Sequence, residues 1–149
     1  MRKLFVSIAL TFLTATGVLA ASPEQEKAFL DTYRTAFEAQ DADTLAGLLF
    51  ADGGIPMAVE FYKMAMTAEF GKKLTSIELQ DLDAEDVKKV DEVLDSPDGS
   101  KARLAPKPYK KLVIQIDSAD ANGTSSSTSS VYVAEKDGKL GISVPVPAN

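Results

Sequence analysis

The chain has 149 residues, a net charge of −6 and no His, Cys or Trp. Without His or Cys it lacks the usual general base near neutral pH, thiol nucleophiles, disulfides, and imidazole or thiolate metal sites. An acidic balance also argues against nucleic acid and anionic lipid as partners.

Residues 1–20 read as a signal peptide. Arg2 and Lys3 supply a positive start, Leu4 to Leu13 a short apolar core, and Val18 and Ala20 the small residues of a cleavage site after Ala20. An anchoring helix is the alternative, but Thr11, Thr14, Thr16 and Gly17 interrupt the run. Cleavage would release the protein into the periplasm or the medium. Residues 21–149 read as one domain, and no later segment is apolar for long enough to span a membrane.

Ser22, Pro23 and Gln25 form a helix start with a capping box. Phe29, Leu30, Tyr33 and Phe37 then recur at helical spacing, which predicts a helix from Pro23 to about Gln40. Asp41 or Asp43 is expected to cap a second helix with the stripe Leu45, Leu48 and Leu49, stopped by Ala51 to Gly54. A third helix is predicted from about Pro56 to Phe70. Its apolar residues Met57, Val59, Phe61, Tyr62, Met64, Met66 and Phe70 leave little polar face, as in a helix that is buried on two sides or lines a groove.

After Gly71 the period falls to two. Thr75 to Leu82 reads as a half-buried strand with Ile77 and Leu79 inward. Asp83 to Pro108 is charged and broken by Pro97, Gly99, Pro106 and Pro108. It reads as a long surface excursion, with a short helix around Val87, Val90 and Leu94. Three strands are predicted beyond it: Tyr109 to Asp117, Ser127 to Glu135 and Lys139 to Val146. Asn122-Gly123 and Asp137-Gly138 mark the reversals between them. Helices first and a meander afterwards predict an α+β fold, with the helices on one face of a curved antiparallel sheet.

The segment from Phe29 to Gly54, an aromatic helix, an acidic break and a leucine helix ending in Asp-Gly, resembles the opening of nuclear-transport-factor-2-like (NTF2-like) domains. Gly71 to Leu82, Leu112 to Ile116 and Glu135 to Val144 are similar to secreted members of that superfamily. The resemblance covers nearly the whole chain after the signal. It implies an NTF2-like cone with a pocket between helices and sheet, and a homodimer formed through the sheet.

Candidate site residues follow from the faces. Tyr33, Phe37, Phe61, Tyr62, Met64 and Met66 are the candidate lining of an apolar pocket for a small ligand. The Met-rich run is equally a candidate surface for an envelope protein partner, or simply core. For an enzyme of isomerase or hydrolase type, as the resemblance allows, the candidates are Glu60 as the acid with Tyr62 or Tyr33, because Glu60 is the carboxylate beside Phe61 and Tyr62 in the Met-rich helix. Lys101, Arg103, Lys107, Lys110 and Lys111 either hold an acidic ligand or lie in solvent. Ser118, Asp120, Asn122 and Gly123 match part of a calcium loop, but Ser129 stands where its closing acid belongs, so a hairpin explains them better. Asn122-Gly123-Thr124 is also a glycosylation sequon. Nothing calls for a cofactor or a metal. The reading is a non-catalytic binding or interaction domain, with a cone-pocket enzyme and a purely structural envelope accessory as alternatives.

Overall fold

The computed structural model describes residues 20–96 and 99–148. The signal peptide expected over residues 1–20 lies outside them except for Ala20, and so does Pro97. The protein is α+β. Helices α1 (Pro23–Glu38), α2 (Ala42–Ala46) and α3 (Pro56–Thr67) come first, followed by strand β1 (Lys73–Asp81) and helix α4 (Ala84–Asp91). Strands β2 (Leu94–Asp95), β3 (Lys101–Ala105), β4 (Lys110–Asp120), β5 (Gly123–Lys136), β6 (Lys139–Ile142) and β7 (Val144–Pro147) complete the order. Among the described residues no helix is long and apolar enough to cross a membrane.

The predicted starts hold. Ser22 accepts the Gln25 amide while the Gln25 side chain accepts the Ser22 amide, closing the capping box of α1. Of the two candidate caps for α2, Asp41 is the one used: its carboxylate accepts from the Thr44 amide at 3.0 Å and the Thr44 hydroxyl at 2.6 Å. Helix α2 is only five residues long, so Leu48 and Leu49 lie beyond its end.

Sheet order is β1-β4-β5-β6 in one sheet and β2-β3-β7 in a second. Register places Leu79 opposite Leu112, Ile77 opposite Ile114 and Leu74 opposite Ile116, with a bulge between Leu74 and Ser76 that restores the inward parity. The β5–β6 reversal has positive φ at both Asp137 and Gly138, the geometry that hairpin twist favours. The β4–β5 reversal sits one residue earlier than expected, at Ala121-Asn122, with the Asn122 amide donating to Asp120. Phe29, Tyr33, Ala36 and Phe37 of α1 pack into one core with Leu45, Leu112, Ile114, Ile116, Val133 and Ile142.

Three expectations are corrected. The strand predicted from Lys139 to Val146 is two strands in different sheets. Ser143, fully buried, turns the chain: its hydroxyl donates to the Pro106 carbonyl at 2.7 Å and its amide to the Tyr132 carbonyl at 3.0 Å. The excursion from Asp83 to Pro108 is structured, because it holds α4 and also β3, which pairs with β7. Leu94 belongs to β2 rather than to the helix. Helix α4, which follows β1, stands apart from the three N-terminal helices. Asp86 of α4 meets Lys111 and Tyr132, whose register puts them on the side opposite Leu112 and Val133.

Candidate functional site

Between α1, α3 and the inner face of β4 and β5 lies a cavity of about 430 Å³. This is within the usual range for a small-molecule site. Tyr33 enters from α1, and Phe61, Tyr62, Ala65, Met66 and Glu69 come from α3 and its exit. Ile114 and Ile116 form the floor, and Ser127, Ser129, Ser130 and Val131 of β5 form the far wall. The lining is largely apolar, with a few hydroxyls that can orient a ligand.

Four of the six expected lining residues are therefore brought together: Tyr33, Phe61, Tyr62 and Met66. Phe37 is instead buried in the core, edge-on to Phe70 with ring centroids 5.7 Å apart. Met64 lies on the solvent side of α3, as Met57 does. The reason is the helix itself: with apolar residues all round, its sequence does not specify which face is buried. The structure commits Val59, Tyr62 and Met66 inward and leaves Met57, Phe61 and Met64 exposed. Phe61 is nonetheless at the cavity mouth.

Burial pushes the Tyr33 phenol up to about 12 and raises that of Tyr62 as well. Both stay protonated at neutral pH and can donate hydrogen bonds, not accept protons. Glu60 does not line the cavity. Its side chain is 70% exposed and ion-paired to Lys63 at 2.7 Å. The carboxylate that does line it is Glu69, held by Lys72 at 2.5 Å. Glu69 falls inside the predicted span Pro56 to Phe70, next to Phe70, but sequence reasoning passed over it in favour of Glu60, which sits beside Phe61 and Tyr62. Sequence reasoning also passed over the β5 serines, which read as a solvated hairpin.

The basic residues of the second half do not converge on an anion site. Lys101 pairs with Asp95, Lys107 with Asp91 at 2.8 Å, Lys110 with Glu26 at 3.0 Å, and Lys111 with Asp86 at 2.6 Å. The Tyr109 hydroxyl also reaches Glu26, at 3.2 Å. Burial, then the nearby Glu26 charge, raises the Tyr109 phenol. A larger groove of about 780 Å³ runs past Leu48 to Asp52 and the β5–β6 turn, but Asp52, Lys136, Asp137 and Lys139 stand along it. Charged turn residues of this kind suit a solvent groove rather than an apolar ligand.

No family model and no curated protein matches the chain. It is similar to the helical cell shape determining protein Pgp2 from Campylobacter jejuni at 13% identity, over 79% of this chain and 38% of that one, with a TM-score of 0.44. The chain thus spans well under half the length of Pgp2. It is also similar to a variant of Rv3472, a protein of unknown function from Mycobacterium tuberculosis, at 17% identity, over 85% of this chain and 70% of that one, with a TM-score of 0.41.

Proposed function

We propose that the protein is a non-catalytic domain of the NTF2-like cone type, exported to the periplasm or the medium, that binds a small apolar ligand between α1, α3 and β4–β5. The observation that carries this reading is the cavity, in which Tyr33, Phe61, Tyr62 and Met66 face Ile114, Ile116 and Val131. Two phenols and the Ser127 and Ser129 hydroxyls supply a few oriented polar contacts in an otherwise apolar site. Association as a homodimer through the sheet belongs to the same reading.

The enzyme alternative has less support. Its acid, Glu60, is solvated and paired away from the cavity, and Glu69 is neutralised by Lys72. Neither Tyr is set up as a base. An interaction role is favoured by one separate feature, the exposed stripe Met57, Phe61 and Met64 on α3.

Native mass spectrometry of protein purified from its own host's envelope tests the proposal. The expected result is a mass excess of small-molecule size, lost on Met66→Arg. A clean mass for protein that also takes up no anilinonaphthalene sulfonate would overturn it.

A further inference from the structure

β5 is the longest strand, at 14 residues, and β6 covers little of it. β6 pairs only with Val133 to Lys136, and at Ser143 the chain leaves for the second sheet. From Gly123 to Val131, β5 has β4 on one side and, among the described residues, no strand on the other. Exposed edges are normally blunted by Lys, Pro or a bulge. This one carries no charge and no Pro between Gly123 and Ala134, and its pairing to β4 runs without a register shift. Instead it presents a run of small hydroxyl residues, Thr124 to Ser130.

The cavity runs along the unpaired stretch of β5, from Ser127 to Val131. Ser129 and Ser130 are consecutive, so their side chains lie on opposite faces, yet both line it. The space therefore touches the backbone of β5 as well as the side chains of its inner face. Phe61 overhangs the opening from α3.

We propose that the open edge of β5 takes an extended, uncharged polypeptide segment of another protein as an added strand, with its alternate apolar side chains entering the cavity beneath Phe61. Backbone pairing would supply affinity and the cavity would select the side chains. The chemistry favours a foreign segment over a second copy. A second β5 would present Ser127 and Ser129 to an apolar cavity, and the β1 edge would bring Lys73, Glu78 and Asp81 to an uncharged strand. The inference rests on the cavity being a binding site.

The test uses the full chain and a blocked peptide of about nine residues alternating valine and serine with a lysine at each end, which matches the free edge at ~3.3 Å per residue. Two further peptides carry N-methyl groups on alternate residues, one on each edge of the strand. The unmodified peptide is expected to bind saturably and to slow amide exchange within Ser125 to Val131. One N-methylated peptide should bind roughly 10-fold or more weakly, because it loses several backbone hydrogen bonds, and the other should bind as before. Phe61→Asp, at an exposed position, should weaken binding without unfolding the chain.

Absence of saturable binding, equal binding by all three peptides, or protection of Ser125 to Val131 by self-association alone would each overturn the proposal. Titration with anilinonaphthalene sulfonate separates the two readings. Dye uptake without strand pairing leaves the ligand site standing and removes the edge proposal, and loss of both removes both.

Discussion

Asp86 shows how one side chain ties distant parts of the chain together. Its carboxylate accepts from Lys111 at 2.6 Å and from the Tyr132 hydroxyl at 3.0 Å, and the Asp83 side chain accepts the Asp86 amide. The Lys111 hydrogen bond, most of all, holds the Asp86 carboxyl down to about 2, against an ordinary 3.8. A depressed acid stabilises the fold above its unfolded value, and that stability is lost as pH falls through the folded value. Lys111 is raised, so its share is present below the ordinary lysine value and lost at higher alkaline pH. A carboxyl titration of Asp86 followed by NMR should therefore have its midpoint near 2, and Asp86→Asn should lower the melting temperature at neutral pH but not far below the midpoint. A midpoint near 4 would refute the geometry. None of this was legible in the sequence. Asp86 is one acid in a charged run, 25 positions from Lys111 and 46 from Tyr132, and only the outward parity of those two residues brings them together.

Elements were more legible than their ends and partners. The capping box at Ser22 names its own residues, and Ser22→Ala should cost about 1 kcal/mol in urea denaturation. Gly138, at φ 76 in the β5–β6 turn, should lose a similar amount or more as Ala, because a side chain there is strained. Both are local signals. The break at Ser143 is different. Leu140, Ile142, Val144 and Val146 keep an unbroken alternation across it, since alternation reports burial and not which strand accepts the hydrogen bonds. β3 escaped notice for a related reason: five residues with two inward positions, Ala102 and Leu104, are too few to stand out against flanking Lys, Pro and Gly. Its pairing with β7 could be seen only once the chain had folded.

At the scale of the whole molecule, Ile77 and Leu79, read as inward from period-two spacing, pair with Ile114 and Leu112 of β4. Leu112 is fully buried. Leu112→Ala should destabilise the protein by about 2–5 kcal/mol. The cavity was half visible. Tyr33 lay on a clean helical stripe and its face was certain. Helix α3 offered apolar residues all round, so Phe61, Met64 and Met66 could be named but not assigned to a side. Glu60→Gln should accordingly leave ligand retention unchanged in native mass spectra, while Met66→Arg abolishes it.

The same asymmetry gives α3 a chemical polarity. Met57 is 80% exposed and Met64 62%, while Met66 is only 7% exposed. In a chain without Cys these thioethers are the most readily oxidised side chains. Peroxide would convert Met57 and Met64 to sulfoxides first, and Met66, nearly buried on the cavity wall, more slowly. Each conversion turns part of an apolar stripe polar and chiral, so an oxidising environment would wet the outer surface of α3 well before its inner one.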